Sequence, residues 1–126
     1  MIEALSLKAL FQLRAKGLLT PTATLLYVYF SSCDPTDRHT YRSIAKETGI
    51  SHRAIRYNLP LLELTGLMTI SERLPTRNGG GFVARLRDPS NSEVKRATSA
   101  RGGRKAILEY REWQYKERNK VYRREK

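Results

Sequence analysis

Residues 40–70 read TYRSIAKETGISHRAIRYNLPLLELTGLMTI, and the architecture of the chain depends most on this stretch. Two helical patterns follow one another, each preceded by a capping Thr or Ser and each ended by Gly. The spacing predicts a short helix over 41–48, a tight turn, and a longer helix over 52–65. Gly49 can adopt a positive φ in the turn, and Ala45 is small enough to let the two helices cross closely.

The longer helix has an inner and an outer face. Ile55, Leu59 and Leu62 recur at the spacing of one buried stripe, so the polar residues near the helix start point away from the core. Arginine forms paired hydrogen bonds to guanine, and a helix start favours a phosphate. We therefore expect nucleic-acid contacts from the first turns of this helix, namely Ser51, His52, Arg53, Arg56 and Tyr57.

Pro60 lies inside this helix, where it removes one hydrogen bond and crowds the carbonyl of Arg56. The sequence therefore predicts a loosened turn near Arg56 and Tyr57. Tyr57 also belongs to a second apolar stripe with Leu61 and Leu64. We expect Tyr57 to be partly buried, and the two leucines to pack against the N-terminal helix or a partner subunit.

Two alternating stretches follow, over 67–73 and 82–87, and the glycine-rich residues between them permit a hairpin. Residues 40–70, together with the return strand GGGFVARL at 79–86, resemble the winged helix-turn-helix family of bacterial and archaeal transcription regulators and of some plasmid or phage replication proteins. The resemblance covers roughly the middle two-fifths of the chain.

The resemblance implies that the helix over 52–65 reads the major groove and that the hairpin over 73–85 is a wing on the backbone or minor groove. It implies wing contacts by Arg73, Arg77, Asn78 and Arg85. Thr40 and Arg42, at the start of the short helix, complete the predicted DNA-contacting set.

Upstream of this stretch, apolar residues at helical spacing predict an N-terminal helix over 2–16. Thr20 and Pro21 then open a second helix, which we expect to be the most buried element. The predicted fold is mainly α with a small β-hairpin, a winged helix-turn-helix domain over 1–88 whose core spans 20–87.

The C-terminal part is polar and basic. Its composition predicts a flexible linker over 89–103 and a basic helix or arm over 104–126. Residues 95–126 hold 12 basic and 4 acidic residues. This helix has three possible roles: phosphate contacts, packing on a partner or its own domain, or solubility. Its apolar and aromatic residues favour a helix with one apolar and one basic face.

The formal net charge is +12, which makes a polyanion the expected partner class. Cys33 is the one cysteine, so no internal disulfide can form. The N-terminus lacks the pattern of a signal peptide, and no apolar run is long enough to span a bilayer. These features predict a cytoplasmic, nucleoid-associated protein without a membrane segment.

No enzyme is predicted, and we expect no catalytic residue, cofactor or metal. Cys33, Asp34, Asp37 and His39 are close in sequence, but their spacing matches no metal signature and they read as turn residues. The glycines at 79–81 lie at a hairpin tip, where they do not form a phosphate loop.

The leading hypothesis is sequence-specific binding of double-stranded DNA by a transcription regulator. We expect a homodimer on a two-fold site, formed through the N-terminal or C-terminal helix. One alternative is an accessory protein of a plasmid or phage, acting in replication, partition or recombination. Another is a binder of single-stranded nucleic acid or RNA, with aromatic residues of the arm stacking on bases.

Overall fold

The computed structural model describes residues 4–71, 81–99 and 101–124. Within these ranges the chain is mainly helical with a small antiparallel sheet, which confirms the predicted fold class at that level. The elements are α1 (Ala4–Ala15), α2 (Pro21–Ser32), β1 (Arg38–His39), α3 (Tyr41–Thr48), α4 (His52–Leu64), β2 (Met68–Ser71), β3 (Phe82–Leu86), α5 (Ser92–Thr98) and α6 (Arg104–Arg124).

Helices α3 and α4 begin and end where local side chains dictate. Thr40 forms a capping box, in which its Oγ1 accepts from the Ser43 amide at 2.9 Å and the Ser43 Oγ accepts from the Thr40 amide at 3.0 Å. Ser51 caps α4 by accepting from the Ala54 amide at 3.1 Å. Gly49, at φ 75°, ends α3 in the left-handed region, so the predicted tight turn is confirmed.

The sheet has three strands in the order β1-β3-β2, with both neighbouring pairs antiparallel. The predicted hairpin strands pair with Met68 opposite Leu86 and Ser71 opposite Val83. Strand β1 adds a third member, with His39 opposite Phe82. The sequence predicts no strand at Arg38 and His39 and places His39 among turn residues, because a two-residue strand has no alternation to detect.

The core lies between α2 and α4 and is closed by the sheet and by α6. Leu26, Ile55, Leu62 and Ile107 are among its fully buried side chains. Each such side chain contributes about 1.5–3 kcal/mol through burial. The core therefore draws on residues more than 80 positions apart in the chain, and α6 belongs to the same folded unit as α4.

Helix α2 only partly meets the expectation that it is the most buried element. Its inner face is buried, but Leu25 and Val28 are 60% and 41% exposed. The inner face meets α4 through a polar contact, in which the Thr20 hydroxyl donates to Asn58 Oδ1 at 2.6 Å. Asn58 Nδ2 donates in turn to the Ala54 carbonyl at 2.7 Å, so the buried amide of Asn58 is paired at both ends.

Helix α5 corrects the prediction of a flexible linker over 89–103. Asn91 caps this helix by accepting from the Glu93 amide, and Val94 is buried in the core. The helix lies against the end of α4, where a Cβ on Gly66 would be 3.3 Å from the Glu93 carbonyl oxygen. A single buried valine and a close helix contact are long-range effects, which the polar composition of the segment does not reveal.

His39 is buried in an aromatic cluster. Its ring lies 4.9 Å from that of Phe30 and 5.9 Å from that of Phe82, measured between centroids. Burial lowers the pKa of His39 from its ordinary value of 6.5, against a smaller opposing effect of Asp37 and Glu47. The folded protein therefore favours the neutral imidazole more strongly than the unfolded chain does.

We expect the free energy of unfolding to fall as the pH is lowered through and below about 6.5, since the unfolded chain then binds a proton that the folded chain resists. Urea unfolding at pH 7.5, 6.5 and 5.5 measures this loss. His39→Phe keeps a ring in the cluster and should remove part of the pH dependence. His52→Gln changes the exposed histidine and serves as the matched control; an equal change in both variants would contradict the assignment to His39.

Candidate nucleic-acid interface

Most of the residues of α4 that the sequence predicts to contact nucleic acid lie on its outer face. The inner stripe of Ile55, Leu59 and Leu62 is buried as predicted, which turns the opposite face to solvent. The exposed residues of that face at the helix start are Ser51, His52, Arg53 and Arg56. No acidic residue lies in the first turn of α4, so two cations and a helix N-terminus share one exposed surface.

Two of the selected residues have structural duties of their own. The Thr40 and Ser51 hydroxyls accept hydrogen bonds as the N-caps of α3 and α4. Ser51 is exposed and its hydroxyl can still donate, whereas Thr40 is half-buried within its capping box. His52 packs its ring 5.2 Å from that of Tyr41, which connects the start of α4 to α3.

Arg53 lies over a run of aromatic rings. Its guanidinium carbon is 5.5 Å from the centroid of Tyr57, within the range of a cation–π contact. The Tyr57 ring packs 5.7 Å from Trp113, which in turn packs 5.4 Å from Tyr110. Tyr57 is half-buried, as expected, and its partner is the C-terminal helix α6. The aromatic cluster of Tyr57, Tyr110 and Trp113 therefore connects Arg53 to α6 through the Tyr57 ring.

Pro60 lies in α4, but the helix runs from His52 to Leu64 without a break. Proline at this position removes the amide that would pair with the Arg56 carbonyl, four residues back. The Tyr57 carbonyl accepts two hydrogen bonds, from the Tyr110 hydroxyl at 2.7 Å and from Gln114 Nε2 at 2.6 Å. Helix α6 therefore attaches to α4 at Tyr57, within the turn that precedes Pro60.

Burial, with a smaller contribution from nearby Tyr57, raises the pKa of Tyr110 to about 12. The Tyr110 hydroxyl therefore stays protonated and available as a donor at neutral pH. Further along the same helix face, Arg111 donates to the Gly17 carbonyl at 3.0 Å, at the end of α1. Ile107, on the same helix, is fully buried.

These contacts show one of the roles that the sequence left open for the C-terminal helix, which is packing on its own domain. Residues 104–126 were predicted as an appendage behind a linker, but α6 packs on its own domain through Ile107, Tyr110 and Gln114. The spacing of apolar residues in the arm indicated that α6 packs on something. The sequence did not identify α4 as the helix on which it packs. The sequence therefore did not predict that α6 lies directly beside α4.

The remaining predicted contacts lie on other elements. Arg42 is exposed on α3, and Arg85 is exposed on β3 opposite Thr69. Arg73, Arg77 and Asn78 lie outside the described residues. The hairpin that carries them is described only through its paired strands β2 and β3.

Around Cys33, the Asp34 carboxylate accepts from the Thr36 amide at 2.8 Å and closes a turn. In the parts of the chain that the structure describes, no group of three or more His, Cys, Asp or Glu residues could hold a metal ion. Across the same residues, none of the helices combines the length and the apolar character that crossing a membrane requires.

No protein-family model, curated protein or solved structure matches this chain at a significant level. A function must therefore be inferred from the geometry and charge of the surface around α4.

Proposed function

We propose that this chain is a winged helix-turn-helix protein that binds double-stranded DNA in a sequence-specific manner and acts as a transcription regulator. The observation that carries the proposal is the exposed start of α4, where Arg53 and Arg56 project from a helix whose opposite face is fixed in the core. A helix held in this way presents a rigid surface of the width that the major groove accepts.

The arrangement around α4 supports the proposal. Helix α3 and the turn at Gly49 hold α4 at a fixed angle, and the antiparallel sheet of β1, β3 and β2 follows the two helices. This layout is compatible with a winged helix, in which β2 and β3 form the wing. Arg85 on β3 then contributes a phosphate contact beside the groove.

The charge of the chain supports the same partner. A formal net charge of +12 favours a polyanion and speeds its encounter with the protein. Phosphate attraction alone does not select a sequence, whereas Arg53 and Arg56 have donors that can bind guanine in pairs. The proposal therefore assigns affinity to the whole basic surface and specificity to the start of α4.

The test is a binding selection from randomised duplex DNA with the full chain at about 150 mM salt, scored as sequence enrichment. We expect one enriched motif, bound with a dissociation constant on the order of 10⁻⁸ M and at least about 1,000-fold more tightly than random duplex. A motif with two-fold symmetry would support the proposed homodimer. The full chain is required, because truncation after Asp88 removes Val94 and Ile107 from the core.

The same selection separates the other two functions. An accessory protein of a mobile element would enrich tandem repeats and give a ladder of complexes in a gel shift. A binder of single-stranded nucleic acid would bind a single strand more tightly than a duplex of equal length. The proposed sequence-specific function would be contradicted if no motif is enriched and if an equal mass of random duplex abolishes binding.

A further inference from the structure

Arg53 and Arg56 are both exposed on α4, but their surroundings differ. The guanidinium carbon of Arg53 lies 5.5 Å from the centroid of the Tyr57 ring, one turn further along the helix. Among the described residues, this is the one cation–π contact that the structure shows. A free arginine side chain loses conformational freedom when it binds a base, and this loss weakens binding. We therefore expect Arg53 to be better ordered than Arg56 before DNA binds.

The Tyr57 ring is itself held by α6. The Trp113 ring packs against it with 5.7 Å between the ring centroids and an interplanar angle of 57°. The Tyr57 carbonyl accepts hydrogen bonds from Tyr110 and from Gln114, which lie three residues before and one residue after Trp113. The backbone and the ring of Tyr57 are thus both held by one short stretch of α6.

Trp113 is fixed by the same docking. Its ring lies 5.4 Å from that of Tyr110, measured between centroids, and Ile107 on the same helix is fully buried. Trp113 nevertheless remains 44% exposed, so it is not a core residue. Its ring contacts connect the docked helix to Tyr57 and, through Tyr57, to Arg53.

We propose that Trp113 is a positioning residue for Arg53, because it holds the Tyr57 ring where that ring orients the Arg53 guanidinium toward a base. This inference rests on the proposed reading of duplex DNA by α4, and it concerns a residue outside the proposed contact set. Trp113 acts through Tyr57 and makes no DNA contact of its own. Helix α6 therefore influences the base that α4 selects at one position of its site.

The order of the two arginine side chains is measured by NMR relaxation of their Nε–Hε groups in the full chain without DNA. We expect the Arg53 group to be more ordered than that of Arg56. Trp113→Leu should make Arg53 as mobile as Arg56, whereas Trp113→Phe, which keeps a ring, should leave Arg53 ordered. The control Tyr115→Leu removes an aromatic side chain of α6 that is 67% exposed, and it should also leave Arg53 ordered.

Base selection is measured with the same variants. The base pair read by Arg53 is the one whose preference disappears from the selected motif in Arg53→Ala. We expect Trp113→Leu to weaken binding to the selected duplex by about 2- to 5-fold, which is the size of one exposed cation–π contact. Preference should be relaxed at that base pair and retained at the one read by Arg56. Trp113→Phe and Tyr115→Leu should retain the preference at both.

A double variant separates positioning from direct contact. A residue that acts through Arg53 has no further effect once Arg53 is absent. Arg53→Ala with Trp113→Leu should therefore bind the selected duplex as Arg53→Ala alone does, within about 2-fold. An additive loss in the double variant would show that Trp113 contacts the DNA itself, and it would overturn the proposal.

Three further results would overturn the positioning role and leave the proposed function of α4 intact. They are unchanged affinity in a folded Trp113→Leu variant, a loss of preference spread evenly over the motif, and an Arg53 group as mobile as that of Arg56 in the unmodified chain. The last result needs no substitution, so it contradicts the proposal even if Trp113→Leu does not fold. Failure of the unmodified chain to select any duplex would overturn the proposed function and, with it, this inference.

Discussion

The double substitution Arg53→Ala and Arg56→Ala is expected to weaken binding to the selected duplex by at least about 30-fold. Each arginine paired to a base contributes about 1–3 kcal/mol of discrimination, so loss of both costs about 2–6 kcal/mol. Both side chains are exposed on α4, whose packing depends on the opposite face, so the fold should be retained. Fluorescence anisotropy with labelled duplex measures the change, and circular dichroism checks the fold.

The matched control is Lys95→Ala with Arg96→Ala, which removes the same charge from exposed positions on α5 at the far end of α4. We expect a loss of less than about 3-fold, because only a diffuse electrostatic attraction is reduced. The first variant should also bind random duplex nearly as well as the unmodified chain does. Equal losses in the two double variants would show that binding depends on net charge and would contradict base reading by α4.

The second large effect concerns stability. Ile107→Ala is expected to lower the free energy of unfolding by about 2–5 kcal/mol, because it leaves a cavity at a fully buried position. That is a large share of the roughly 5–15 kcal/mol that stabilises a typical domain. Urea unfolding followed by circular dichroism measures the loss, and Trp113 fluorescence reports on the same transition from the surface where α6 meets α4.

Leu108→Ala is the control within the same helix. Leu108 is 45% exposed and adjacent in sequence, so its replacement should change the free energy of unfolding by no more than about 0.5 kcal/mol. Both substitutions alter the helix propensity of α6 in a similar way. The difference between their free energies of unfolding therefore measures the packing of α6 on the domain. A small and equal effect of both would show that α6 does not pack on α4 in solution.

Local signals made much of this fold predictable. The start and end of α3 and the start of α4 depend on Thr40, Gly49 and Ser51, which act on backbone groups within four residues of themselves. The buried stripe of α4 followed from spacing alone. The position of the cations on the outer face followed from that stripe, so the centre of the candidate site was also predictable.

The errors have a common cause in contacts between distant parts of the chain. Strand β1 exists because His39 pairs with Phe82, and α5 is fixed by Val94 and by its close approach to Gly66. The docking of α6 depends on Tyr57, whose carbonyl accepts from Tyr110 and Gln114, more than 50 positions further along the chain. Composition and periodicity describe single segments, and they do not identify the segment on the other side of a contact.

The attachment of α6 at Tyr57 also bears on how the protein is made. Gln114, which binds the Tyr57 carbonyl, lies 57 positions further along the chain. At about 5–20 residues per second, the ribosome adds Gln114 roughly 3–11 s after Tyr57. A nascent chain therefore carries the Arg53 and Arg56 surface before the helix that supports it has been synthesised. The turn around Tyr57 consequently gains the contacts from α6 only after Gln114 has been synthesised.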